Sequence, residues 1–216
     1  MRALILAGGD RPDPALLDAR WPGWRDAKRV IAADGGARHA APLSLPLHQV
    51  VGDFDSLSAA DADELEAAGV TVTRFPTNKD ATDTELALLA ALDAGATDIV
   101  LLCTWGGRSD HAIGTLALLA HPRCVEAAVV ILDEQTRTQL VRSGSSLTLR
   151  GAFDQNISIT PWGGDATVTA TGVRWTLAGA VLAAGSTRGI SNVATAAEAV
   201  ITVHDGAVLV SEGGAA

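Results

Sequence analysis

Aspartates in this chain gather where three short segments leave apolar runs: Gly52-Asp53-Phe54-Asp55-Ser56, Asn78-Lys79-Asp80-Ala81-Thr82-Asp83-Thr84-Glu85 and Gly106-Gly107-Arg108-Ser109-Asp110-His111. Asp34 closes another such run, just ahead of Gly35-Gly36. A single aspartate in such a place is an ordinary turn former or helix cap. Several at one edge repel one another and raise each other's pKa unless a cation compensates. A hard divalent ion does this, and Mg²⁺ held by one or two carboxylates plus substrate phosphates is the usual nucleotide arrangement. Asp53 and Asp55, two apart, fall on one side of an extended segment and are the first candidate ligands. Asp83 is the third, with the plainer alternative that it complements the N-terminus of its own helix.

Gly106-Gly107-Arg108 offers close backbone approach and a planar guanidinium, both suited to phosphate oxygens, although Gly-Gly before a helix is also simply a turn. Gly8-Gly9 and Gly35-Gly36 carry the same two readings. His111 suits proton transfer or helix capping equally. The chain has no G-x-x-x-x-G-K-[ST], no G-x-G-x-x-G and no G-x-S-x-G, which sets aside the P-loop, the dinucleotide fingerprint and covalent acyl chemistry.

These residues need a scaffold that collects strand ends. Up to about residue 132, runs of Val, Ile, Leu and Ala at 3–7, 29–33, 49–51, 70–74, 99–103 and 125–132 read as strands. Continuous rather than alternating apolar runs indicate strands covered on both faces, hence an α/β layer fold with a mostly parallel sheet. Thr82-x-x-Glu85 is a capping box that starts a helix ending at Gly95, and further helices are expected over 110–120 and 59–68. In such a sheet, ligands bind outside the carboxyl ends of the strands, where Asp34, Asp53, Asp55, Asp80 and Asp110 all fall.

Beyond residue 132 the texture changes to short β-branched segments between Gly and Ser, at 138–141, 146–149, 156–160, 166–171, 199–203 and 207–210. That pattern predicts a small antiparallel β-sandwich or barrel. The expected domains are therefore 1–139 and 140–216, with 213–216 a disordered tail. Trp175 suits either the sandwich core or a stacking wall for a flat or cationic ligand. Ser191-Asn192 supplies polar groups that can fix a ligand's orientation.

Composition narrows the function classes. The formal net charge of −9 and the lack of any basic run argue against a nucleic-acid partner. Cys103 and Cys124 lack metal-type spacing and read as small buried hydrophobes. Residues 3–7 are too short for a signal segment or membrane span, so a cytoplasmic protein with no membrane partner is expected.

In fixed order along the chain, GDFDS, KDATDTELAL, GGRSDH, TGVRWTL and GISN resemble the motifs of the thiamine pyrophosphokinase family. The resemblance spans nearly the whole sequence. It implies an N-terminal α/β domain and a C-terminal β-sandwich, and transfer of a pyrophosphoryl group from ATP to thiamine with Mg²⁺, giving thiamine diphosphate and AMP. By the same resemblance Asp53, Asp55 and Asp83 handle metal and phosphate, and with Asp110 form the catalytic set. Gly107, Arg108 and Asp110 belong to the ATP side, with Asp34 and Asp80 also at motif positions. Trp175, Ser191 and Asn192 form the thiamine-side wall. A homodimer is implied too, the C-terminal domain of one subunit completing the site on its neighbour. Trp105 stands where the family usually has a smaller residue, and Thr115 where Asn is common. Two other readings remain at this level, a metal-dependent phosphohydrolase and a non-catalytic thiamine or nucleotide sensor.

Overall fold

The computed structural model describes residues 1–55, 59–151 and 153–215, so Ser56 of the first motif lies outside the described residues. Two compact units divide between Glu134 and Gln135.

Among its described residues the first unit carries six strands: β1 (Arg2–Leu6), β2 (Arg29–Ala33), β3 (Gln49–Gly52), β4 (Thr71–Arg74), β5 (Asp98–Leu102) and β6 (Ala128–Leu132). Every neighbouring pair is parallel, in the order β6-β5-β1-β2-β3-β4. In β1, β2 and β5 the last four residues are all buried, as continuous apolar runs require of strands covered on both faces. Residues 125–127, expected to open the sixth strand, instead follow a 3-10 turn at Pro122–Cys124, where proline at the turn's start cannot donate to a ladder.

Among the described residues this unit also carries four helices: α1 (Pro14–Arg20), α2 (Ala59–Ala67), α3 (Asp83–Asp93) and α4 (Ser109–Leu118). Thr82 caps α3, its hydroxyl accepting from the Glu85 amide at 3.2 Å, and Gly95 turns left-handed just past the end. The Glu85 carboxylate faces His121 Nε2 at 3.6 Å. The core packs Leu4, Leu6, Leu17, Trp24, Leu43, Val100 and Leu102 together. Among the described residues, no helix is long and apolar enough to cross a membrane.

The strand order reverses beside β1, which pairs with β2 on one side and β5 on the other. Such a switch point opens a crevice between the two departing loops. Here the loops are laced by backbone hydrogen bonds, Ala7 N to Leu102 O (2.9 Å), Gly9 N to Cys103 O (2.8 Å) and Asp10 N to Trp105 O (2.6 Å). Gly9 makes the lacing possible, because a β-carbon there would sit 2.2 Å from the Trp105 carbonyl oxygen.

The second unit is built of β7 (Thr136–Arg142), β8 (Ser146–Arg150), β9 (Gln155–Pro161), β10 (Ala166–Thr171), β11 (Leu177–Leu182), β12 (Asn192–Val193), β13 (Glu198–Asp205) and β14 (Ala207–Ala215). They pair antiparallel as β12-β9-β14-β7 and β11-β10-β13-β8. Alternate residues of both sheets, including Ile157, Ile159, Val168, Ile201, Val203, Val208 and Val210, share one core, the packing of a sandwich. The division falls a few residues before the expected 139/140, since Leu140 lies inside β7. The expected disordered tail is corrected as well: β14 runs through Ala215, and Gly213 pairs with both Thr136 and Asn156. Gly213 is a packing residue, for a β-carbon would meet the Gln135 carbonyl oxygen at 2.1 Å.

Candidate active site

A cavity of about 510 Å³ opens beyond the carboxyl ends of β1, β2, β3 and β5. Its lining includes Gly8 and Gly9 after β1, Asp34 and Gly35 after β2, Asp53 and Asp55 after β3, Thr77, Lys79 and residues 81–84 after β4, and Gly106 to Arg108 after β5. His111 and Thr115 enter from α4.

At its floor Asp34, Asp53 and Asp83 each offer a carboxylate oxygen within 4.8 Å of the other two. Gly52 permits this approach, because a β-carbon there would lie 2.9 Å from Asp34 Cβ and 3.3 Å from the Asp83 carboxyl carbon. Asp34 is buried at φ 43°, a left-handed turn that starts the 3-10 segment Asp34–His39. Asp83 comes from the first turn of α3, whose positive end also favours a carboxylate.

Lys79 stands against this cluster. Its Nζ donates to Asp53 Oδ2 at 2.8 Å and lies 3.0 Å from Asp83 Oδ1, with side-chain exposures of 12% for Lys79 and 9% for Asp53. The contact with Asp83 is an ion pair outside good hydrogen-bond geometry. The lysine hydrogen bond holds the Asp53 carboxyl below the usual range. Burial pushes Asp83 the other way, above it, and outweighs the same ammonium. For Lys79, burial opposes the charge, but its two aspartate partners raise it overall.

Asp55 lines the same cavity but is exposed and outside the close group of three. The premise that Asp53 and Asp55 share one side of an extended segment does not hold, because Phe54 turns left-handed between them (φ 61°). Asp80 is exposed and does not line the cavity. Gly107 and Arg108 are on the rim, and Arg108 Nη2 donates to Asp110 Oδ2 at 2.6 Å, both side chains open to solvent. That pairing holds the Asp110 carboxyl below the usual range. Thr115, where Asn was the common choice, spends its hydroxyl on the His111 carbonyl of its own helix at 2.9 Å. Burial pushes the Cys103 thiol up to about 12, which makes it an inert wall residue.

In the second unit, the buried Asn192 uses its amide on backbone: Oδ1 accepts from Trp175 N (3.1 Å) and Val193 N (2.9 Å), and Nδ2 donates to Trp175 O (2.8 Å). Asn192 thus positions Trp175, a residue 57% exposed. Arg174 lies over that ring at 5.5 Å. Ser191 is exposed at φ 58°, and its amide donates to the Ser158 hydroxyl at 3.1 Å.

Lys79 is the site residue that sequence reasoning passed over. Its motif was recognised, but the only cue to its role was rarity, as it is one of two lysines in the chain.

Residues 22–131 match the family model for the thiamin pyrophosphokinase catalytic domain, and residues 145–208 that for the thiamin pyrophosphokinase vitamin B1 binding domain. The chain is similar to a thiamine pyrophosphokinase of Bacillus subtilis (strain 168), 28% identical over 190 residues that cover 87% of each chain. Among solved structures it resembles thiamine pyrophosphokinase from Bacillus subtilis, with a TM-score of 0.84 and 25% identity over 99% of each chain. It also resembles thiamin pyrophosphokinase from Geobacillus thermodenitrificans, with a TM-score of 0.81 and 26% identity over 99% of this chain and 98% of that one. Fold and relatives together define a kinase-type transferase. The chain belongs to the thiamin pyrophosphokinase family, and is an enzyme of that kind.

Proposed function

We propose that the chain transfers the pyrophosphoryl group of ATP to the hydroxyl of thiamine, forming thiamine diphosphate and AMP with Mg²⁺, in the cytoplasm. The observation that carries the metal and phosphate part of this reading is the convergence of Asp34, Asp53 and Asp83 at the floor of a strand-end cavity. Oxygen-only donors at this spacing fit a hard divalent ion. When bound, that ion neutralises phosphate charge and orients the phosphate chain. Asp53 and Asp83 are its main holders, with Asp34 beside them and Asp55 at the cavity wall facing solvent.

In the reaction, the thiamine hydroxyl oxygen forms a bond to the β-phosphorus of ATP. The bond from that phosphorus to the oxygen bridging to the α-phosphate breaks, AMP departs with that oxygen, and the hydroxyl proton passes to an acceptor. Such a transfer needs positioning and charge neutralisation more than covalent help. Gly107, Arg108 and Asp110 serve the ATP side from the rim, with Asp80 in the loop beyond Lys79. Trp175, held by Asn192 and next in space to Arg174, serves thiamine as a flat wall, with Ser191 nearby. The reading includes a homodimer in which the second unit of one subunit completes the cavity of its partner.

Chromatography of the products tests the reading. Purified protein with Mg²⁺, ATP and thiamine is expected to give AMP and thiamine diphosphate in equal amounts. ADP as the nucleotide product would mean simple phosphoryl transfer. Phosphate release without thiamine would mean hydrolysis.

A further inference from the structure

The two lysines of this chain are far outnumbered by its arginines, and the ion pairs that fasten its surface, such as Arg2–Asp98, Arg74–Glu66 and Arg123–Asp93, are made by arginine. Arginine gives a rigid planar fork, whereas lysine is a compact point charge on a flexible four-carbon stem. Lysine is used where a cation faces the carboxylate floor of the cavity, with Nζ 2.8 Å from Asp53 Oδ2 and 3.0 Å from Asp83 Oδ1. It is carried on the loop between β4 and α3 rather than on a regular element, and that loop lines the cavity.

Asp34, Asp53 and Asp83 crowd three carboxylates into one group, which a positive charge must hold together. A divalent ion bound to Asp53 and Asp83 would draw on the same negative charge that Lys79 engages, and would repel the ammonium beside it. We propose that Lys79 is an exchangeable counter-ion: it keeps Asp53 and Asp83 assembled, yields them when a divalent cation arrives, and is released into the cavity. Metal loading and the placing of a mobile positive donor in the cavity are then one event. This rests on the reading of the triad as a divalent-cation site, and it makes Lys79 a positioning residue.

The scarcity of lysine supplies the test. Acetic anhydride labelling of the full-length protein, read by mass spectrometry, compares Lys79 with Lys28 as an internal control. Mn²⁺ alone, its binding followed by electron paramagnetic resonance, is the probe. Saturating Mn²⁺ is expected to raise Lys79 labelling at least about fivefold relative to Lys28, the scale of losing one unit charge at 4 Å in a water-like dielectric. Asp53→Asn is expected to raise it without Mn²⁺. In a Lys79→Met variant, Mn²⁺ should bind about fivefold more tightly. Bound Mn²⁺ that leaves Lys79 labelling unchanged or slower would overturn the exchange. So would a folded Lys79→Met variant that binds Mn²⁺ no more tightly than the parent. Mn²⁺ binding insensitive to both Asp53→Asn and Asp83→Asn would remove the metal reading itself, and this inference with it. Labelling uses the unaltered chain, so it decides the matter even if the Met variant fails to fold.

Discussion

Gly52 decides how closely Asp34 and Asp83 can stand. A single methyl group would press on Asp34 Cβ at 2.9 Å, and both neighbours belong to the carboxylate group of the cavity, so neither can give way without moving a carboxylate. Displacements near 1 Å at such a site cost about 100-fold in rate. Gly52→Ala is therefore expected to lower kcat/KM about 100-fold while the protein still unfolds cooperatively, as steady-state kinetics beside a thermal melt would show. Wild-type turnover in the variant would mean that the spacing of Asp34 and Asp83 does not matter to the reaction. The kinds of residue in the cavity were legible in the sequence, because aspartate after an apolar run is visible as such. Which three would assemble was not. Left-handed turns at Asp34 and Phe54 redirect the chain at the strand ends, drawing Asp34 into the group and leaving Asp55 outside it, and side-chain spacing along an extended strand cannot register that.

At the level of elements, α3 matters because its first turn delivers Asp83, and Thr82 caps that turn. Asp13 caps α1 in the same manner, accepting from Ala15 N at 2.8 Å, but α1 carries no cavity residue. Removing either cap is expected to cost about 1 kcal/mol of stability. The paired comparison separates support from position: Thr82→Ala should also lower kcat, with Thr82→Ser restoring it, whereas Asp13→Ala should leave kcat alone. Equal kinetic effects from both caps would show that α3 places Asp83 no more sensitively than general stability does. The strands of the first unit could be read from sequence because double-sided burial writes continuous apolar runs. β11, rich in Ala and Gly, and the two-residue β12 lack that imprint, since their pairing is decided by neighbouring strands. α1 was missed for a related reason: with Leu17 as its one buried residue, it shows no periodicity, and only Asp13-Pro14 marks its start.

For the whole molecule, the proposed sharing of sites between subunits makes a sharp arithmetic. Asp53→Asn and Trp175→Ala, each expected to be inactive alone, are refolded together. In a mixed dimer one site then carries both lesions and the other neither, and random pairing makes about half the dimers mixed, so roughly a quarter of wild-type activity should return. No recovery after confirmed subunit exchange, or a monomer at working concentration, would overturn the arrangement. Within one chain, β14 enters its sheet between β7 and β9 rather than at an edge. They leave the ribosome after β7 and β9, at roughly 5–20 residues per second. For several seconds after Pro161 has emerged, the growing chain thus presents open strand edges on β7 and β9. Such edges invite pairing with other chains. A premature stop at Asp205 would leave that aggregation-prone state permanent.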